Sequence, residues 1–406
     1  MKKLMMTLCA VGLMFAGCNK QSGEDNPLLQ KWDTPFETAP FEKIKVEHYL
    51  PAFEAAIAEH DKEIQAIIDN AEAPTFDNTI AALDYSGETL SKVAGVFFNM
   101  MAANTSEELQ KVNEKVGPMM ATHSDNVSMN AKLFEKIKAV YDAKDSQKYT
   151  EEQLALLEKT YNKFVRSGAL LDAAKQEELR KVNAELTKVE AKFDANLLKE
   201  TKAYQLVVEK EEDLKGLPQG EIEKAAALAK SEGKEGKWIF TLDNPSFMPF
   251  VTYADNRDLR KEIFNARVNR CNNGGETDNN ALVAQMAELR AQKAQILGYE
   301  TFAHYQLEER MAKEPKAVFD LLENLLSYSV KVAKEEAAQF QAMLSKDVPG
   351  AKLEAWDMYY YAEKVRQQKY NFDAELTRPY FEINKVRQGC FDVLTKLYGI
   401  SFTERK

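Results

Sequence analysis

The chain has 406 residues, 45% of them hydrophobic and 29% charged, with a formal net charge of −10. That length and apolar content can bury a large core in two or three domains. The acidic balance argues against a nucleic-acid partner, because a phosphate backbone is held through clustered lysine and arginine.

The chain opens on Lys2 and Lys3, followed by an uncharged, largely apolar run over 4–16. A bilayer crossing needs about 20 apolar residues, so the run reads as a secretory signal over 1–17 and not as a membrane span. Small residues Ala16 and Gly17 stand before Cys18, the arrangement in which a lipoprotein cysteine thiol takes up diacylglycerol. Lipidation at Cys18 is therefore expected, with 18–45 as a tether and N-terminal arm. The protein is expected to be exported and anchored by lipid to a bacterial membrane, at the outer membrane or facing the periplasm. An ordinary cleaved signal with an incidental cysteine is the alternative.

Beyond the arm, 17 glycines and 12 prolines are few for this length and predict long helices. Apolar stripes at helical spacing run over 51–68, 106–120 and 150–165. Leu179, Val182, Leu186, Val189, Phe193 and Leu197 then form one seam along about five turns. Tyr204, Leu206, Val207 and Val208, and later Trp238, Ile239 and Phe240, are β-formers that predict a small antiparallel pair over 203–209 and 237–242. A short alanine-rich helix over 221–231 is expected between them. Pro245 and Pro249 mark a turn near 250, separating an N-terminal helical region, 46–250, from a second region, 251–406. Helical stripes resume over 255–270, 280–297 and 317–343, and each stripe is expected to be core. The fold class is mainly α and two-lobed, with one small antiparallel β pair.

Sequence motifs for chemistry are sparse. Zinc peptidases of the HExxH class place two histidines four apart on one helical face, and the glutamate between them polarises a metal-bound water. Only His48, His60, His123 and His304 occur, no two of them four apart and none followed by glutamate. His304 and Glu308 share a helical spacing, but a lone pair is more often a surface contact than a site, since zinc usually takes at least three protein ligands. His48 reads as a packing residue at a helix start. No GxSxG elbow, GxxxxGK[ST] loop or GxGxxG turn is present. Acidic pairs such as Glu151-Glu152 and the run Glu211-Glu212-Asp213 read as solvated faces. Tyr359, Tyr360 and Tyr361 lie about 100° apart around a helix, so they cannot all face inward. At least one could line a groove, or the three form a partly exposed belt. Cys271 and Cys390 read as structural thiols, or as one disulfide in an exported protein.

Several motifs carry a family resemblance. Asn26-Pro27-Leu28-Leu29 with Trp32, His48-Tyr49-Leu50-Pro51, Pro74-Thr75-Phe76-Asp77-Asn78-Thr79-Ile80 and Ser86-Gly87-Glu88 come first. Phe164-Val165-Arg166-Ser167-Gly168-Ala169, Glu288-Leu289-Arg290, Trp356-Asp357, Tyr359-Tyr360, Glu363, Arg378-Pro379-Tyr380-Phe381 and Leu397-Tyr398-Gly399-Ile400 follow in order. Together they resemble bacterial peptidyl-dipeptidase, a zinc metallopeptidase of the thimet oligopeptidase and neurolysin family, over its N-terminal portion. The resemblance implies a helical, two-lobed body with a channel for short peptides, a zinc cofactor, and release of C-terminal dipeptides from oligopeptides. The family's HExxH helix is not among these residues, so no catalytic or metal-ligating residue is carried over, and the chain alone is expected to be inactive. On this reading 251–406 is the opening part of the metallopeptidase domain. A non-catalytic lipoprotein that binds peptides or a partner is the alternative. The apolar run Phe391, Val393, Leu394, Leu397, Tyr398, Ile400 and Phe402 favours a piece of a larger fold, because a protein built to stand alone keeps such faces covered.

Overall fold

A computed structural model describes residues 26–372 and 374–404. The chain is mainly helical with one small two-stranded antiparallel sheet, as its composition and stripes predict. It divides into two compact units, one of residues 1–191 and 286–302, the other of 192–285 and 303–406.

The first unit holds α1 (Val46–Asp69), α2 (Ala82–Tyr85), α3 (Glu88–Ala103), α4 (Glu107–Ser128), α5 (Ala131–Asp142) and α6 (Glu151–Arg166). It also takes the front of α7 (Ala173–Ala203), the 31-residue helix that contains the predicted seam. In α1 the residues Tyr49, Ala52, Phe53 and Ala56 fall on one face and bury against Leu90, Val93 and Phe97 of α3. The Phe53 and Phe97 rings meet edge to face at 5.4 Å. Helix α1 begins at Val46, ahead of the predicted 51. His48 explains the earlier start: its Nδ1 accepts the Lys45 backbone N–H at 3.0 Å, which places this histidine at a helix cap and not simply in packing. A second core lies around Ile64, Ile67, Ile80, Leu133, Phe134, Ile137, Leu157 and Phe164. A π-helical turn at Phe76–Ala81 leads into α2, opened by reciprocal bonds between Thr75 and Asn78. Helix α6 closes at Gly168, whose φ of +97° is open to glycine at little cost, with Ala169 N–H donating to Phe164 O at 3.0 Å.

In the second unit, β1 (Leu206–Val208) and β2 (Trp238–Phe240) pair antiparallel in the register Leu206 to Phe240 and Val208 to Trp238. Their inward residues join Leu242, Phe247, Phe250, Val251 and Ile263 in one core. Around them are α8 (Gln219–Ser231), α9 (Asn244–Tyr253), α10 (Arg257–Val268), the start of α11 (Asn280–Ile296), the body of α12 (Phe302–Leu307), α13 (Pro315–Asp347), α14 (Met358–Tyr370) and α15 (Ile383–Tyr398).

One expected core stripe fails. In α13 only Phe340 and Leu344 are buried, against Tyr360 and Tyr361 of α14, while Phe319, Leu321, Leu322, Leu325 and Leu326 are exposed, Leu325 by 51%. Periodicity marks a face able to be buried, and nothing among the described residues covers this one. Helix α15 is alike: Val393, Leu397 and Tyr398 are all exposed.

Candidate functional site

A buried polar cluster in the second unit centres on Asp357, one of the motif residues. A short 3-10 turn, Ala355–Asp357, ends on this aspartate and hands the chain to α14, while Asn256 caps α10 and starts the helix that presents Arg257 and Arg260. Asp357 is fully buried. Its Oδ1 accepts from Arg257 Nε at 2.9 Å and Arg260 Nη2 at 3.3 Å, and its Oδ2 accepts from Arg257 Nη2 at 2.7 Å and the Glu354 N–H at 3.1 Å. Arg260, only 1% exposed, donates from Nη1 to Ala254 O at 2.7 Å and Asp255 O at 3.1 Å. Its guanidinium lies 3.9 Å from the centre of the Tyr360 ring, and Tyr360 donates its hydroxyl to Asp255 Oδ1 at 2.8 Å.

The charges respond to this enclosure. Burial pushes the Tyr360 hydroxyl well above the usual tyrosine range, and the bond to Asp255 adds to the effect. Tyr361 is pushed up to about 12, chiefly by burial. The Asp357 hydrogen bond raises Arg257, whereas burial lowers Arg260. Glu363 is held below the usual carboxylate range by Arg366, which donates Nε and Nη2 to its two oxygens at 2.6 and 2.7 Å. Every oxygen of Asp357 faces a donor. The cluster braces α10 against the start of α14.

The tyrosine run behaves as its spacing requires. Tyr360 and Tyr361 are buried and Tyr359 is 45% exposed. Tyr380 and Phe381 are exposed, and Arg378 lies over Gly220 of α8, where an added Cβ would meet its Nη1 at 3.0 Å. Helix α12 ends at Leu307, so Glu308 falls just past its end, and no metal-holding group includes it or His304. Glu151 and Glu152 occupy the exposed first turn of α6, where acids favour the helix dipole. Asp213 is not merely solvated: its Oδ1 accepts from Asn256 Nδ2 at 2.8 Å. Cys271 is buried and Cys390 exposed, both as free thiols, and burial with Glu200 nearby pushes the Cys271 thiol up.

Sequence reasoning missed Arg257 and Arg260, which lie about 100 residues from Asp357. Their i, i+3 spacing after an Asn cap is the one local signal, and it is too common to be specific. It also missed the contact between His60 and His123 in the first unit, whose facing ring nitrogens lie 2.9 Å apart.

Zinc chemistry needs a set of protein donors. Among the described residues no group of three or more His, Cys, Asp or Glu is placed to hold a metal ion, so they do not fit zinc and no step is routed through it.

Two helical units, one with a fully buried ion cluster and both α13 and α15 with exposed apolar faces, define a mainly helical scaffold. Residues 53–176 match the Neurolysin/Thimet oligopeptidase N-terminal domain, and 250–406 match Peptidase family M3. The chain is 34% identical over 381 residues to Dipeptidyl carboxypeptidase of Escherichia coli (strain K12), covering 94% of this chain and 56% of that protein. It is 31% identical to Organellar oligopeptidase A, chloroplastic/mitochondrial, of Arabidopsis thaliana, over 92% of this chain and 48% of that protein. To "Probable cytosolic oligopeptidase A" of the same plant it is 30% identical, over 92% of this chain and 54% of that protein. The chain belongs to this family of metallopeptidases, and it spans about half the length of the curated relatives it matches.

The expected location is corrected by these relatives. The two Arabidopsis proteins carry organellar and cytosolic names, which does not support export and lipid anchoring, and no described helix is long and apolar enough to cross a membrane. A lysine pair, a short apolar run and small residues before a cysteine form a pattern of few constraints, too few to fix a location. Cys18 and the expected signal lie outside the described residues.

Proposed function

We propose that this chain is the front, scaffold-forming portion of a zinc peptidyl-dipeptidase that releases C-terminal dipeptides from short oligopeptides. What carries the reading is the in-order match of two family models together with 34% identity to a protein named dipeptidyl carboxypeptidase. In this reading the zinc ligands are residues other than those described, since no donor set exists among them. The bare faces of α13 and α15 support it further, because exposed leucines on adjacent turns suit burial under the remainder of such a fold. That observation also disfavours the alternative of a stand-alone peptide-binding protein.

The test is dipeptide release from a blocked oligopeptide with added zinc. The assay compares this chain alone with the same chain continued by the remaining segment of the Escherichia coli relative. The expected result is no release by the chain alone and release by the continued chain. Release by the chain alone would overturn the placement of the zinc centre. A continued chain that folds and stays inert, or that frees single amino acids, would overturn the peptidyl-dipeptidase reading.

A further inference from the structure

Inside the first unit, two of the four histidines of the chain meet across 63 residues. His60 of α1 and His123 of α4 put Nδ1 and Nε2 2.9 Å apart, with ring centres 4.9 Å apart and planes at 61°. The far nitrogen of each ring is also occupied. His60 Nε2 lies 3.1 Å from Ser86 Oγ, and His123 Nδ1 lies 3.2 Å from Asp61 Oδ1. Ser86 Oγ in turn donates to Leu83 O at 2.7 Å. The next residue, Gly87, donates its N–H to Glu63 Oε2 at 2.7 Å, and its left-handed backbone brings the Cα within reach of the His60 ring, where a Cβ would stand 3.1 Å away. One ring pair therefore ties α1, α4 and the turn between α2 and α3.

We propose that the His60–His123 contact is a pH-sensitive clasp of the first unit, closed while a single proton lies between the facing nitrogens and opened when each ring brings its own.

The argument is a proton count. The Asp61 carboxylate can only accept, so His123 Nδ1 carries a hydrogen. With the pair neutral, His60 Nδ1–H donates to His123 Nε2 and the Ser86 hydroxyl turns to donate to His60 Nε2. With one proton more, His123 Nε2–H donates to His60 Nδ1, and His60 Nε2–H donates to Ser86 Oγ, whose own hydrogen goes to Leu83 O. The distances to Ser86 and Leu83 suit this singly charged form, and every polar atom is satisfied in both. A further proton places two N–H groups head to head at 2.9 Å with no acceptor between them, on two adjacent cations.

The surroundings set the resistance to that step. Burial, followed by His123, lowers His60 below the ordinary histidine range, and Lys163 of α6 acts in the same direction. Glu63 and Asp61 of α1 oppose it. Opening is thus expected below the usual histidine pKa of about 6.5. It would release the Ser86–Gly87 turn while leaving the Phe53 and Phe97 core intact.

The experiment is peptide-level hydrogen exchange of the full chain between pH 7 and pH 5, corrected for intrinsic rates, in wild type, His60→Gln and Ser86→Ala. Because opening takes up one proton, protection over residues 83–90 in wild type should fall about tenfold per pH unit once the transition is entered. Protection over α8, in the other unit, should not follow. His60→Gln should lose that dependence, whatever its protection at pH 7. Ser86→Ala keeps both rings and should retain it. The same dependence in His60→Gln as in wild type would overturn the proposal, as would its absence from wild type. Its disappearance in Ser86→Ala with both rings intact would also overturn it.

Discussion

Replacing Asp357 by alanine tests whether the second unit hangs on its buried ion cluster. The variant removes four acceptor contacts at once, to Arg257 Nε and Nη2, Arg260 Nη2 and the Glu354 N–H. Arg257 is 28% exposed and can turn toward water, but Arg260 is 1% exposed and cannot. Its Nη1 keeps the two carbonyls and its face keeps the Tyr360 ring, so the charge is not abandoned entirely. Breaking a buried pair by removing one partner costs about 3–5 kcal/mol. For a unit of this size each kcal/mol shifts the melting midpoint by about 2–4 °C, so a fall of about 6–20 °C is expected. The readout is thermal and urea unfolding followed by tryptophan fluorescence, since Trp356 adjoins the cluster. Asp357→Asn keeps one acceptor oxygen and should cost less. Joint replacement of Arg257, Arg260 and Asp357 by apolar residues should recover much of the loss, because the desolvation of all three charges disappears with them. A stability for Asp357→Ala within about 1 kcal/mol of wild type would refute the reasoning, and so would strict additivity of Asp357→Ala with Arg260→Met, since groups in one network couple by about 0.5–3 kcal/mol.

Three further outcomes are expected. Gly216→Ala should destabilise the second unit by more than about 2 kcal/mol in denaturant unfolding, because its φ is +89° and an added Cβ would sit 2.2 Å from Tyr253 O, a backbone atom that cannot swing aside. Spectrophotometric titration should leave Tyr204 and Tyr361, both raised to about 12, protonated at pH 11 together with Tyr360. The unfolded chain ionises these hydroxyls near pH 10, so the stability they contribute is full below that pH and is lost as pH rises toward about 12; a melting midpoint unchanged from pH 9 to 11 would contradict the assignment. Replacing Leu322, Leu325 and Leu326 by lysine should raise the monomeric fraction of this chain in sedimentation without lowering its melting midpoint, since all three are exposed, and a large loss of stability would show that the face is already buried.

Much of the helical framework is legible in the sequence because its signals are local. The seam of α7 and the β-formers at Tyr204 to Val208 and Trp238 to Phe240 carry their own periodicity, and the residues they mark are largely buried. What escapes is whatever depends on distant approach. Arg257 meets Asp357 and His60 meets His123 through tertiary packing, and no spacing along the chain encodes either pair. The failure at α13 has a different cause. Leu322, Leu325 and Leu326 lie at helical spacing as core residues do, but periodicity specifies a face and not its cover.

The motif residues that carried the family resemblance have something in common. Asn26 donates to His48 O, and Trp32 donates to Pro27 O. Thr75 and Asn78 cap a helical turn, while Gly87 and Gly168 take left-handed backbone and Asp357 is the buried anchor of two arginines. Each solves a problem of folding: an exposed helix end, a turn forbidden to a Cβ, a charge taken out of water. A likeness built from such residues identifies the scaffold and is silent about the chemistry, since function resides in sites grafted onto folds. The peptidase reading therefore stands or falls on the continued chain in the dipeptide-release assay, whereas the scaffold reading is already exposed to refutation at Asp357, a buried carboxylate whose two oxygens both accept from protein donors.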